Sequence, residues 1–391
     1  MVNVARDLIN AGVQVTKVAL KFSDYFYAMR DVPCVSYDDR PENFETWLRD
    51  YLIAHQIDTI IVYNQYRPYN EIGWRLAKEL GLTCLVFELG YLRPSFCTIY
   101  SSQFHPLDQL ADLYYDNGVS LATLKHKAEI IQRPDSRVRL AKFSIVLILE
   151  RILVTLTRKF NYQLDKRALT LRKTCIPSTK YVLRHLASYR DKKYDSILSN
   201  EWSGKYFLCP LQVFDDAQIT HKSHYDRIED FIEQVADSFY INAPSHYKLI
   251  IKRHPMDRGY KNYAKLIESI NNQYNSNRLI YLDRIHLPTA LDNAIGTVTI
   301  NSTVGLSSLI HKTPTICLGE AIYDLDGLTY SKGLDLFWTD HQPVNEKNIA
   351  KFVNLLNFTT QGKGIIYQRI MDCEGKTKVE WPPLFENIFQ S

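Results

Sequence analysis

Short runs of β-branched and aromatic residues recur along this chain, each followed by a polar break and then a stretch with apolar residues at helical spacing. The pattern predicts helix at 3–11, ended by Gly12, then strand at 13–22, helix at 43–55 and strand at 58–63. Helix at 69–80, ended by Gly81, and strand at 82–87 follow. Residues 101–195 are more helical and irregular. Alternation resumes with strands at 205–208, 247–252, 279–282, 297–300 and 315–318. Helices at 224–241, 260–272, 288–294 and 304–311 separate them, and 346–357 forms another. Strands alternating with helices predict an α/β fold with parallel, doubly wound sheets. At 391 residues the chain exceeds the length at which one core usually divides. Two Rossmann-like domains facing across a cleft are therefore expected: 1–195, with a basic helical insertion at about 101–195, and 196–345. A tail over 346–391 would pack back on the first domain. That domain opens on a helix where a strand is usual, which suits a domain lacking its first strand.

Two of these strands end in chemistry. After the apolar run at 298–300, Asn301, Ser302 and Thr303 open a helix that contains Gly305. Helix starts carry unpaired N–H groups and partial positive charge, so an anion fits there. After 249–251 come Lys252, Arg253, His254 and Pro255, cations at the edge where open α/β sheets bind ligands. Together they predict a phosphate-bearing nucleotide; separately, Ser302 could simply cap a helix and the basic trio be solvated. Gln212, Asp216 and Gln218 follow the first strand of the second half and could line the same edge, or be solvated loop residues. In the first half, Glu88 follows a strand read as ending at Phe87, Gly90 permits a turn and Arg93 lies just beyond. Such a pair could serve an acidic sugar, Arg93 gripping a carboxylate and Glu88 acting as base or nucleophile, with Arg67 on the same edge. Equally, Glu88 and Arg93 could be a structural pair closing the turn.

Net charge is +4, but 133–193 holds 16 Lys and Arg against 4 Asp and Glu. Inside it, 143–160 is apolar over much of its circumference with basic flanks, which reads as a membrane-surface helix or as a buried inter-domain helix. No nucleic-acid reading module interleaves with the basic residues. The seven cysteines, Cys34, Cys84, Cys97, Cys175, Cys209, Cys317 and Cys373, are scattered. That argues for a reducing compartment and against a disulfide framework or structural metal. Arg6 and Asp7 interrupt any signal-peptide core, and no run is long enough to span a bilayer. A cytoplasmic protein is expected.

Six motifs in order resemble the bacterial capsule polysaccharide synthesis proteins, more narrowly the β-Kdo transferases of the KpsS/LipB type. They are the 87–94 stretch around Glu88, the 210–218 loop, Lys252-Arg-His-Pro255, His286-Leu-Pro288, Asn301-Ser-Thr-Val-Gly305 and the 318–329 loop. The resemblance implies a GT-B-like, retaining glycosyltransferase. It would move Kdo from CMP-β-Kdo to a phosphatidylglycerol-type lipid or Kdo-lipid, starting the linker of a capsule chain. By the same resemblance Lys252 and His254 contact the donor, and Ser302 and Thr303 its phosphate. No cofactor or metal is expected, since no Asp-x-Asp pair stands where one would be held. The implied place is peripheral on the cytoplasmic face of the inner membrane, with other capsule-assembly proteins as partners. The alternative is a silent or different-donor paralogue in the same assembly. The pattern departs from the family at Leu89, where a second acid is expected, and at Tyr100, where a glutamate is.

Overall fold

The computed structural model describes residues 2–20, 24, 31–93, 96–116, 180, 183–216, 219, 222–363 and 381–385. Most of the basic segment at 133–193, including the apolar stretch at 143–160, lies outside them, as does Gln218.

The chain begins with α1 (Val2–Asn10), whose Val4 and Leu8 are buried. Among the described residues of the strand read over 13–22, β1 (Lys17–Ala19) is formed, and it pairs in parallel with β2 (Cys34–Ser36). After α2 (Phe44–Ala54) and β3 (Thr59–Tyr63) comes α3 (Pro68–Leu80). Pro68 sits in the first turn of α3, where its missing N–H costs nothing. Gly81 ends α3 in the left-handed region at φ 71°, its N–H facing the Ala77 and Lys78 carbonyls. β4 (Thr83–Leu89) is buried from Cys84 to Phe87 because it is a central strand. It is parallel to β3 on one side and antiparallel to β5 (Phe96–Ser101) on the other. β4 thus runs two residues past Phe87, where the sequence pattern ended it. α4 (Pro106–Tyr115) follows.

The second half continues α5 (Lys193–Ser199), β6 (Tyr206–Pro210), α6 (Ile228–Asn242), β7 (Lys248–Lys252), α7 (Ala264–Gln273) and β8 (Leu279–Leu282). Then come α8 (Leu287–Asp292), β9 (Gly296–Thr299), α9 (Thr303–Ile310), β10 (Thr315–Cys317), α10 (Leu334–Asp340) and α11 (Glu346–Thr359). The five strands pair in parallel in the order β10-β9-β6-β7-β8. β6 is buried at every residue, which is why its sequence, Tyr-Phe-Leu-Cys-Pro, is apolar without alternation. α6 buries Ile228, Phe231, Ile232, Val235 and Phe239, the spacing of one helical face. Against it, Trp338 of α10 meets Phe207 and Phe239 edge-on at 4.9 and 5.2 Å. Burying such aromatics is the largest apolar contribution to a core.

The chain then returns. β11 (Gln361–Lys363) pairs antiparallel with β5, and so runs parallel to β3 and β4. Trp381 packs edge-on against Phe87 at 5.5 Å, and Phe385 is buried in the same cluster. The molecule accordingly comprises two compact units, one with Met1–Gln109 and Asn354–Ser391, the other with Leu110–Asp116 and Arg172–Val353. Among the described residues the divisions fall within α4 and α11. Each unit is α/β with parallel strands crossed by helices, the class the alternation predicts.

Gln361 ties the returning segment to the turn after β4. Its Oε1 accepts from the Leu92 N–H at 3.2 Å, and its Nε2 donates to Thr98 Oγ1 at 3.1 Å. With Gln361 only 3% exposed, Gln361→Ala would leave the Leu92 N–H buried and unsatisfied. A loss of about 1–3 kcal/mol is expected in urea unfolding; an unchanged midpoint would show that the turn does not depend on this side chain.

Candidate functional site

In the five-stranded sheet the chain lays down β6, β7 and β8 in one direction, then crosses to the other side of β6 for β9. The switch point lies between β6 and β9, and ligands of open α/β sheets bind outside the C-terminal ends of the strands there. Gln212, just past β6, and Asn301, just past β9, meet at this point. Gln212 Nε2 donates to Asn301 Oδ1 at 2.9 Å, and the Asn301 N–H donates to Gln212 Oε1 at 3.2 Å. Gln212 also donates to Asp216 at 3.4 Å. Asn301 Nδ2 donates to the Lys222 carbonyl at 3.3 Å, bringing a third segment to the same edge. Gln212 is 7% exposed, so its amide frames the site.

Ser302 caps α9: its Oγ accepts from the Val304 N–H at 3.2 Å. The Ser302 carbonyl accepts from the Gly305 N–H at 2.9 Å and also from the Tyr323 hydroxyl. Gly305, expected among the nucleotide contacts, has a different reason to be glycine. A Cβ there would lie 2.2 Å from the Tyr323 hydroxyl oxygen and 2.8 Å from its ring. Ser302 and Thr303 are half-buried at the helix start.

Lys252, Arg253 and His254 do not act as a trio. Successive strand residues face opposite sides, and Arg253 points inward at 1% exposure. There it pairs with both Asp283 oxygens at 2.8 and 3.0 Å and donates to the Lys261 carbonyl. Arg253 is a buried strut between β7 and the end of β8, not a ligand cation. Lys252 and His254 stay half-buried on the edge. His254 Nδ1 accepts from the Met256 N–H at 3.2 Å, which puts the neutral ring's proton on Nε2. Behind them Asp257 is fully buried and accepts from the Phe214 N–H at 3.2 Å, joining the loops after β6 and β7.

Beside Asn301, Lys222 and Glu320 pair at 3.3 Å on the rim of a cavity of about 400 Å³ lined also by Ser223, His224 and Asp324. A larger hollow of about 740 Å³ beside α6 and α10 contains none of the expected site residues. The Lys222–Glu320 pair was not anticipated from sequence, since nothing in spacing joins residues so far apart.

In the first unit, Glu88 lies within β4 and half-buried. Its Oε1 accepts from the Tyr100 hydroxyl at 3.1 Å. Gly90 is demanded by the turn: a Cβ would stand 2.3 Å from the Phe96 carbonyl oxygen. Arg93 is exposed, with Nε donating to the Gly90 carbonyl at 3.4 Å. Arg67 lies over the Tyr63 ring at 5.4 Å on the adjoining strand end. Leu89, where a second acid was expected, points to the opposite face of β4 and is 46% exposed. Among the described residues no cluster of three His, Cys, Asp or Glu side chains is placed to hold a metal ion. Nor is any described helix long and apolar enough to cross a membrane.

The second unit is an α/β unit of the doubly wound class with a polar, helix-capped strand edge at its switch point. Family comparison is sharper. Residues 58–367 match the capsule polysaccharide biosynthesis protein family, and the chain belongs to that family, the one its motif order indicates. It is 31% identical to the capsule polysaccharide export protein KpsS of Escherichia coli, over 93% of either chain. To the capsule polysaccharide modification protein LipB of Neisseria meningitidis serogroup B it is again 31% identical, over 92% of this chain and 87% of LipB. Among solved structures it is similar to the KpsC β-Kdo 2,7 transferase of Thermosulfurimonas dismutans. There the TM-score is 0.45 at 13% identity, covering 94% of this chain and 96% of that one.

Burial pushes the Asp257 carboxyl up to about 6, against the Phe214 N–H and the Arg253 charge, which pull it down. The folded protein therefore binds this proton more tightly than the unfolded chain. Its contribution is full below the ordinary carboxylate range and is lost as pH rises through about 6. Relative to Asp257→Asn, the wild type should lose stability between pH 4 and 7 by up to about 3 kcal/mol. Parallel urea titrations of the two proteins across that range would contradict the assignment.

Proposed function

We propose that the protein is a glycosyltransferase of capsule assembly that moves Kdo from CMP-β-Kdo to a phosphatidylglycerol-type lipid or Kdo-lipid, with retention of configuration. The observation carrying this reading is the edge of the second unit's sheet: a Ser302-capped helix start at the switch point, with Lys252 and His254 one strand over from β6. CMP carries a single phosphate, matched to one helix N-terminus and two cationic or N–H donors. Gln212 would hold Asn301 and the helix start in place, with Asp216 toward the nucleoside.

In this reading Glu88 of the first unit is the nucleophile. One carboxylate oxygen bonds to the anomeric carbon while the bond from that carbon to the phosphate oxygen breaks, and CMP leaves with the electron pair. The acceptor hydroxyl then displaces Glu88 from the same side as the departed CMP and gives up its proton, so two inversions give retention. Arg93 would pair with the Kdo carboxylate. Loading on the cytoplasmic face of the inner membrane would draw on the basic 133–193 segment, with other capsule-assembly proteins alongside.

Lys252→Ala and His254→Ala should each weaken CMP binding by about 1.5–3 kcal/mol; calorimetry showing unchanged affinity in both would exclude the donor site. Glu88→Gln should bind CMP-Kdo yet lose transfer by several orders of magnitude, and intact-mass spectra should show a sugar adduct in the wild type only. Sedimentation with phosphatidylglycerol vesicles at low salt should exceed that with neutral vesicles and decline as salt is added; equal sedimentation would refute membrane recruitment through the basic segment.

A further inference from the structure

The turn between β4 and β5 places two side chains in a relation that neither strand shows alone. In the antiparallel ladder Glu88 pairs with Thr98 and Val86 with Tyr100. Glu88 and Tyr100 are therefore diagonal neighbours on one face, within reach of a long side chain. That face is the one covered by α3, where Val62, Ala77, Cys84, Val86 and Tyr100 pack with Trp74. The Tyr100 ring is fixed there, edge-on to Trp74 at 6.4 Å and to His105 at 5.3 Å, and is 2% exposed. Phenylalanine would fill the same space. The hydroxyl adds one thing, the 3.1 Å hydrogen bond to Glu88 Oε1.

We propose that Tyr100 is a positioning residue for the Glu88 carboxylate, its hydroxyl keeping that carboxylate ionised and aimed at the sugar. The inference rests on the reading of Glu88 as nucleophile. A donor to the charged form of a carboxylate lowers its proton affinity, so Glu88 stays an anion further into acid. Burial and the Glu88 charge also push the Tyr100 phenol up, so it remains a donor at any working pH. Tyr91, from the turn after β4, also bears on this carboxylate and phenol, and Tyr66, from the loop after β3, bears on the phenol. His105 reaches the Tyr100 ring from the segment before α4, with Asp108 at 3.5 Å from its Nδ1. α3 contributes the apolar Trp74 to the contact. Tyr66 and Tyr91 are phenols, and His105 packs against the Tyr100 ring in a T-shaped contact. Tyr100 thus supplies the donor from β5. Aim matters because a misplacement of about 1 Å can cost on the order of 100-fold in rate.

The test is Tyr100→Phe in the full chain, which preserves the ring packing. With CMP-Kdo and acceptor, kcat should fall by about 10- to 100-fold while the donor KM changes by less than about twofold. The acidic limb of the kcat profile should move up by about one pH unit, because Glu88 loses a donor. In a Glu88→Gln background, Tyr100→Phe should cause no further loss. A lowered melting temperature with an unmoved acidic limb would show a merely structural tyrosine and overturn the proposal. So would an additive loss in the double variant. Full transfer by Glu88→Gln alone would overturn the nucleophile reading and this inference together. An inactive Glu88→Gln beside an unshifted Tyr100→Phe would overturn only the latter.

Discussion

The reciprocal amide bond between Gln212 and Asn301 is the constraint on which the second unit's edge depends. β6 pairs with β7 over five residues but with β9 over only two, Phe207 with Gly296 and Leu208 with Thr297. That short ladder lies where the chain reverses its order of placement. The two amides join the chain just past β6 and β9, each giving and accepting. Through Asn301 they also hold the Lys222 carbonyl, which accepts from the Glu320 N–H at 2.8 Å. Three segments distant in sequence are thereby fixed beside the Ser302 cap. Removing either amide would strand polar groups in a half-buried place, which costs more than the bond contributes.

The period of two along a strand decides what each edge can do. It sends Arg253 into the interior to pair with Asp283 while Lys252 and His254 stay on the rim. It likewise separates Glu88 from Leu89: one faces α3 beside Tyr100, the other the opposite side of the sheet. An acid at 89 would serve a different space from Glu88, so the leucine there does not empty the position that Glu88 fills. Adjacent residues in a motif are here not adjacent in function.

Much of the second unit was legible in sequence because its strands are buried on both faces and read as unbroken apolar runs. The four residues of β8 coincide with the run at 279–282, and the polar breaks after β6, β7 and β9 fall on the C-terminal edge of the sheet. Pairings that depend on register were not legible. β5 has a strand-like composition in Phe-Cys-Thr-Ile-Tyr-Ser, a signal that could have been read. Its antiparallel placement against β4, and hence the Tyr100–Glu88 bond, needs the turn geometry. β11, Gln-Gly-Lys, carries no apolar pattern at all and exists because β5 offers an open side. Gly305 stood among the expected nucleotide contacts; only Tyr323, brought in by the fold, reveals why no side chain fits.

The β11 pairing also sets an order of events during synthesis. The first unit's sheet is completed by Gln361–Lys363, whose partners on β5 lie more than 260 residues earlier in the chain. The whole second sheet, β6 to β10, emerges from the ribosome before that strand does. The second unit can therefore reach its core from contacts within itself, whereas the first must keep the β5 edge uncovered until Gln361–Lys363 have been made. Long closures of this kind are slow, and an unpaired edge is an invitation to other strands in the meantime. For a chain of this design, the half that is made first is the half that matures last.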